Sequence, residues 1–401
     1  MADLSSRPSV DKPAIVGLLT MLTLLGVFPI DVVLPSFPAL AGHFRNSSSD
    51  IALSVSLFAV GIALSQLLIG PLSDAMGRKT LLLVGIAVSV VGAAGCTLTD
   101  DFRLFLVFRI IQALGCGCFV LSQALVQDLF TGTQQQRLRI FLVTCGGVFI
   151  SISPLAGTGL QGWMGWRGSF LVFIVLAIGA FAGACLLLEG PAQNCRSTRM
   201  NFFASYRRVC GHFSFMAYWL ISALAFSCHF SFIVISPLIF IDQLQLSQQA
   251  FSVMLLGYGL AYIGRGAFAT ILDNRIDSHT QIITGLSLIL TAGLSMLVLF
   301  YIIGLSIAAV LLPMVVCTTG TTIARAAAHT RAMNTFAEQA GTSASAGSVL
   351  IFITGGLASA GISLSPLPLP FTLALCLIAF SLLGMTLNTL VRLRHRRLLP
   401  G

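Results

Sequence analysis

Gly70-Pro71-Leu72-Ser73-Asp74-Ala75-Met76-Gly77-Arg78-Lys79 is the stretch on which the fold turns, for it is a tight polar turn set between two apolar runs. An acid stands near its start and two bases close it. The runs on either side, 51–73 and 80–98, each supply the ~20 apolar residues that a helix needs to cross a bilayer. Moving outward, the same pattern of apolar run and short polar gap recurs over almost the whole chain. It predicts twelve spans at 14–35, 51–73, 80–98, 103–127, 139–162, 168–188, 213–240, 251–272, 280–303, 305–324, 343–364 and 370–391. The ninth and tenth are separated only by a few residues around Gly304. With 56% of its residues hydrophobic and 9% charged, against roughly 25% charged in soluble domains, the chain is excluded from the water-soluble class.

Charge tests the span count, because Lys and Arg gather in cytoplasmic loops. With the N-terminus inside, Arg7, Lys12, Arg78, Lys79, Arg137, Arg139, Arg196, Arg199, Arg207, Arg208, Arg275, Arg325, Arg331 and the Arg392 to Arg397 cluster fall on the cytoplasmic side. Only Arg45, Arg103 and Arg167 fall outside, while Arg109 and Arg265 sit within spans. An even number of helices with both termini cytoplasmic is therefore expected. The net charge of +9 is dispersed among short loops and abuts the membrane at its one cluster, so the expected partner is anionic lipid rather than nucleic acid. No signal peptide is read before the first span. The ten cysteines lie mostly in apolar spans, where they serve as small packing residues; neither a metal site nor any cofactor is expected.

The longest internal polar segment, 189–212, divides the chain near its middle. Six spans on each side give a two-bundle architecture, with an N-terminal bundle over 1–188 and a C-terminal bundle over 213–401, of the kind that rocks about a midplane site.

Within the spans, charge marks candidate function. Asp31 is the one acid well inside an apolar run, at an insertion cost of about 2.5–3.5 kcal/mol. An acid kept at that cost faces a cavity or a partner and can carry a proton; the bland alternative is a helix-end aspartate in water. Arg109 lies at a matching depth in the fourth span. If it approaches Asp31 in one state and withdraws in the other, the proton affinity of Asp31 follows the cycle; alternatively it is a fixed bundle-holding arginine. Arg265 serves the substrate path, snorkels to the surface or binds backbone carbonyls. His229 either meets substrate or is packed and hydrogen-bonded. In the loop, Asp74 and Arg78, with Asp128 within reach, form a cytoplasmic gate turned on Gly70 and Gly77, or else a charge pattern that only fixes topology. Pro154 and Gly157 predict a kinked, tightly packed fifth helix.

Together these residues resemble the major facilitator superfamily, and within it the twelve-helix drug:proton antiporters of the Bcr/CflA type. Gly70 to Lys79 is similar to the signature loop, Asp31-Val32-Val33-Leu34-Pro35 to the first-helix motif, Arg109-Ile110-Ile111-Gln112-Ala113-Leu114-Gly115 to the fourth-helix motif, and Pro154-Leu155-Ala156-Gly157 to the antiporter motif. Trp166-Arg167 and the stretch from Ala340 to Ala346 resemble the branch less specifically. Ala75, Ala113, Ser153 and Thr158 depart from it. The resemblance implies an all-α integral membrane protein of the bacterial inner membrane, expected as a monomer, that exports small molecules against protons. It places Asp31 and Arg109 in proton coupling, Gly70, Asp74, Gly77, Arg78 and Asp128 at a cytoplasmic gate, and Gln112, Arg265 and His229 on the substrate path. Drugs or a secreted metabolite such as a siderophore are the implied cargo. Uptake, a receptor role and a membrane-embedded enzyme are the rivals; the last lacks an acid and histidine pair or a metal cluster.

Overall fold

The computed structural model describes residues 12–188, 207–208, 210–273, 277–336 and 340–398; at 12, 70–71, 74–75, 140, 261–273, 340–342 and 395–398 the description covers the backbone alone. Every predicted span is a helix. They are α1 (Lys12–Asp31, prolonged by a 3-10 turn Leu34–Ser36 and a short helix Phe37–Phe44), α2 (Ser48–Met76), α3 (Arg78–Leu98) and α4 (Phe102–Cys116, continued by Gly117–Val120 and Leu121–Leu129). Then follow α5 (Gly132–Met164), α6 (Arg167–Leu187), α7 (Phe213–Pro237, ending in a π-helical stretch Leu238–Gln243) and α8 (Gln248–Asp273). The last four are α9 (Ser278–Ile303), α10 (Ile307–Thr335), α11 (Ala340–Ser363) and α12 (Leu369–Leu398). Among the described residues, 11 helices are long and apolar enough to cross a membrane. The twelfth is α8, whose second half is described as backbone only. No strand occurs among the described residues.

Local chemistry explains the boundaries. Ser47 and Asp50 form a reciprocal capping box at the start of α2, Asp101 accepts from the Leu104 amide at 2.9 Å at the start of α4, and Ser306 caps α10. Gly304 has φ +67°, a left-handed value that glycine adopts without the Cβ penalty, so the narrow break between spans nine and ten is a true helix end. Gly77, at φ +83°, ends α2 and starts α3 in the same way. α1 stops at Asp31 because Pro35 has no amide to return to the Asp31 carbonyl.

The end of the tenth span is corrected: α10 runs to Thr335 rather than to 324, so Arg325 and Arg331 lie within the helix. Apolarity fades after Ala324, but the alanines that follow are the strongest helix formers, and Ala327, Ala328 and Ala332 remain buried. α5 likewise begins at Gly132, ahead of the predicted 139.

The first six helices pack on one another, the last six do the same, and the two groups meet along α2 with α11 and α5 with α8. Small residues let backbones touch, as they do in membranes generally. A Cβ on Gly92 of α3 would stand 2.3 Å from the Gln112 nitrogen of α4, and one on Gly115 would stand 2.3 Å from the Ser89 nitrogen. Ala113, at a position where the motif it resembles carries glycine, is accommodated by a glycine opposite: a Cβ on Gly61 would meet Ala113 at 2.7 Å.

Candidate coupling site and inter-half seal

Arg109 reaches the last turn of α1, which ends at Asp31, but the two form no ion pair. Arg109 is fully buried and divides its guanidinium between the Gln112 Oε1, accepting at 2.9 Å, and the carbonyl of Pro29, accepting at 3.1 Å. That carbonyl lies in the last turn of α1, where helix carbonyls lack intrahelical partners, so the arginine caps the helix end two residues before Asp31. Its carbon lies 4.3 Å from the centre of the Phe58 ring. The Asp31 side chain is 7% exposed, and no ion pair to it exists among the described residues. Two donors at the Arg109 site are buried with no hydrogen-bond partner: Arg109 Nε and Gln112 Nε2. The glutamine orientation follows from its oxygen, which is committed to Arg109, so its amide nitrogen must point elsewhere.

The fifth helix joins this site to the other half. Pro154 leaves the carbonyl of Ile150 without its helical amide, and the Ser153 hydroxyl donates to it at 2.9 Å. A Cβ on Gly157 would fall 2.2 Å from the Val32 carbonyl oxygen, so only glycine lets α5 lie against the broken end of α1. One turn along, Ser252 of α8 donates to the Pro154 carbonyl at 2.9 Å, and Thr158 and Ser252 hydroxyls are 2.6 Å apart. Since Ser252 spends its proton on Pro154, Thr158 is the donor of that pair. Thr158, one of the departures from the antiporter motif, thus becomes a bond between the halves. On the other flank the Ser56 and Ser359 hydroxyls, of α2 and α11, lie 2.8 Å apart. The Leu34–Ser36 turn also packs on α7 and α8, so the halves are sealed at the face away from the chain ends.

At the face of the chain ends, Arg78 bonds to Asp128 and to the Ala124 carbonyl at 2.6 Å. This ties the start of α3 to the end of α4, within one half. Lys79 caps α6 by donating to the Cys185 carbonyl at 2.9 Å and to Leu188. The side chain of Asp74 and the surroundings of Gly70 lie outside the described residues, as does the side chain of Arg265.

In the second half His229 is hydrogen-bonded through Nδ1 to the Tyr258 hydroxyl at 2.8 Å, the rings stacking at 12°, and Tyr258 continues to Thr318. Arg325 stands over Phe226, 4.9 Å from its centre. Sequence reading missed the arginine because it follows the apolar part of α10; the helix-forming alanines after it were the available signal. Thr158 and Ser252 carried no signal, since hydroxyls on apolar helices usually bond to their own helix, as Thr20 and Thr23 do here.

A twelve-helix all-α membrane fold in two packed groups, with a buried acid and a buried arginine within the first, is the architecture of a secondary transporter. The Major Facilitator Superfamily profile matches residues 17–359, and the chain belongs to that family; it is a transporter rather than an enzyme. It is 29% identical over 289 residues to the MFS-type transporter YdgK of Bacillus subtilis, covering 69% of this chain and 71% of that one. It is 28% identical to a chloramphenicol resistance protein of Pseudomonas aeruginosa over 64% of this chain. To the multidrug resistance protein MdtM of Salmonella typhimurium it is 26% identical over 56%. The matches span 61% and 58% of those two drug-resistance relatives. Among solved structures, a D-xylose-proton symporter superposes with a TM-score of 0.72 at 15% identity, covering 94% of this chain and 96% of that one. The xylose transporter XylE of E. coli, in a partially occluded inward open conformation, gives 0.70 at 13% identity, covering 97% and 99%. These two likenesses concern the fold.

Proposed function

We propose that the protein exports small molecules across a bacterial inner membrane in exchange for protons, with bundles over 1–188 and 213–401 rocking about Asp31. Both chain ends lie in the cytoplasm, the protein works as a monomer in lipid, and the face sealed by Thr158 and Ser252 is the outer one. The observation that carries this reading is a carboxylate buried at the end of α1 with no counter-charge among the described residues, on the helix end whose Pro29 carbonyl Arg109 holds. A movement of the α1 end that brought Asp31 to Arg109 Nε and Gln112 Nε2, both buried without a hydrogen-bond partner, would pair the carboxylate. An unpaired buried acid holds its proton and one faced by a guanidinium releases it, so the shift between the two settings exchanges a proton. Arg78 and Asp128, with Asp74, act at the cytoplasmic gate, and Gln112, His229 and Arg265 on the substrate path. The relatives named for chloramphenicol and multidrug resistance support drugs as cargo; a secreted metabolite such as a siderophore suits the same path.

The test is proton release from protein in vesicles on adding candidate drugs, comparing wild type with Asp31→Asn at equal expression. Release that disappears in the variant is expected; release that survives unchanged refutes Asp31 as carrier. Uptake, the rival direction, is separated by accumulation of cargo in everted vesicles, which export requires and uptake forbids.

A further inference from the structure

A second polar site lies away from α1 and α4. Where α7 and α9 begin and α10 and α12 end, a cavity of ≈ 690 Å³ opens, lined among others by His212, Ser278, Thr330, Arg331, Asn334 and Arg394. One water occupies about 30 Å³ of liquid, so the space suits a molecule with a headgroup rather than a lone solvent. Among the described residues two guanidinium groups border it, no carboxylate lines it, and neither arginine has an ion-pair partner. Arg394 stands over the Phe213 ring, 5.3 Å from its centre, which fixes its plane and leaves the N–H edge for an acceptor in that plane. His212 accepts the Phe215 amide at Nδ1, at 3.3 Å. Its neutral ring therefore carries the proton on Nε2, as a donor.

Asp277 adjoins the lining residue Ser278, yet its oxygens are occupied. They accept the Thr280 hydroxyl and the amides of His279, at 3.2 Å, and Thr280, at 3.3 Å. Among the described residues the cavity therefore presents donors and positive charge, with Asp277 engaged as a helix cap.

We propose that this cavity binds a phosphate group, the chemistry shared by the headgroup of an anionic phospholipid and by a soluble phosphate monoester. Guanidinium forks match phosphate oxygens in pairs, and basic pockets between membrane helices take such headgroups. The site is independent of the Asp31 coupling reading, since it is built from α7, α9, α10 and α12.

The experiment is native mass spectrometry of the full chain in mild detergent. Phosphatidylglycerol, phosphatidylethanolamine and glycerol 3-phosphate are supplied in turn to wild type, to R331Q/R394Q and to R207Q/R208Q, the last removing two bases that do not line the cavity. Retention of phosphatidylglycerol over phosphatidylethanolamine by wild type, cut fivefold or more in R331Q/R394Q and kept in R207Q/R208Q, establishes the lipid source. Binding of glycerol 3-phosphate with the same dependence on the variants establishes the soluble source. Equal retention in wild type and R331Q/R394Q, an equal loss in R207Q/R208Q, or no retention of either ligand overturns the proposal. If the double variant does not elute as folded protein, the single variants R331Q and R394Q are read against the same ratio.

Discussion

Removing the hydroxyls that bridge α5 and α8 should open the sealed face. Ser252 Oγ donates to the Pro154 carbonyl at 2.9 Å, and Thr158 Oγ1 lies 2.6 Å from Ser252 Oγ, with the Gln248 carbonyl a longer second choice at 3.3 Å. Inter-helix side-chain bonds of this kind in membranes average about 0.6 kcal/mol and reach about 1.7. Two of them are therefore worth about 1.2 to 3.4 kcal/mol to the conformation that contains them. T158V/S252A preserves approximate volume and removes both. Since about 1.4 kcal/mol is a factor of ten, populations should move by about sevenfold to about 270-fold toward the state in which this face is open. The Pro154 carbonyl does not become a buried orphan, because opening admits water to it, and this adds to the bias. Spin labels placed beyond the seal, at Trp163 on α5 and Gln249 on α8, report the distance across it by pulsed dipolar spectroscopy. The pair is suited to labelling because Trp163 is 89% exposed and Gln249 lies in the first turn of α8. A longer-distance population growing in the variant is the expected result. An unchanged distribution in T158V/S252A, with the protein still folded, refutes the seal.

Two further outcomes follow from single groups. Arg109→Lys should lose one of the two bonds now made to Gln112 and Pro29, because a single ammonium does not reproduce the planar fork; a charged bond is worth about 1.5–3 kcal/mol, so a lower unfolding temperature in detergent is expected, and equality with wild type would count against the cap on α1. Asp277 is held below the usual carboxylate range, chiefly by the Thr280 hydroxyl bonded to it, with the capped amides adding to this. Its folded value is the lower one, so its contribution is present above the unfolded value of about 3.9 and is lost as pH falls through the folded value. Asp277→Ala should therefore cost about 1 kcal/mol at pH 7, as N-cap removals do, and the gap to wild type in thermal unfolding should begin to narrow only as the pH falls below about 4 and keep narrowing through the lower folded value; a gap that does not change at any acid pH would show that the charge on the cap is irrelevant.

The helices were legible because the signal that makes them is additive. Twenty apolar residues leave lipid as the one favourable solvent, and the break at Gly304 was readable because so little else interrupts the run. Ends were less legible. α10 passes beyond its apolar part on alanine propensity, carrying Arg325 with it, and apolarity alone cannot register that. The site was legible by residue and not by bonding. Depth matching correctly brought Arg109 to the end of α1, but a guanidinium has several donors, and the proline-terminated helix offered it a carbonyl that a count of charges does not include. Arg109 was expected either to approach and leave Asp31 through a cycle or to hold the bundle together; what this conformation supplies is the Pro29 carbonyl as its partner, two residues before Asp31. Thr158, a departure from the motif the fifth helix resembles, is a bond across the halves.

The same short piece of α5 serves both ends of the proposed cycle. Gly157 lies against the Val32 carbonyl, one residue beyond Asp31, and Ser169 of α6 donates to that same carbonyl at 3.4 Å. Pro154 and Thr158, a turn apart on the same helix, hold α8. Protein interiors are close-packed and resist gradual deformation, so α5 cannot part from α8 without moving the backbone that rests on Gly157. That backbone carries Asp31, while Arg109 grips it from α4 at Pro29. In the proposed cycle, opening the seal therefore also carries the end of α1, with its Leu34–Ser36 turn, away from α7 and α8, and so changes what the second half presents to the carboxylate. Such a contact gives the proton a share in the conformational equilibrium, because whatever favours one setting of Asp31 favours the matching position of α5 to the same extent in free energy.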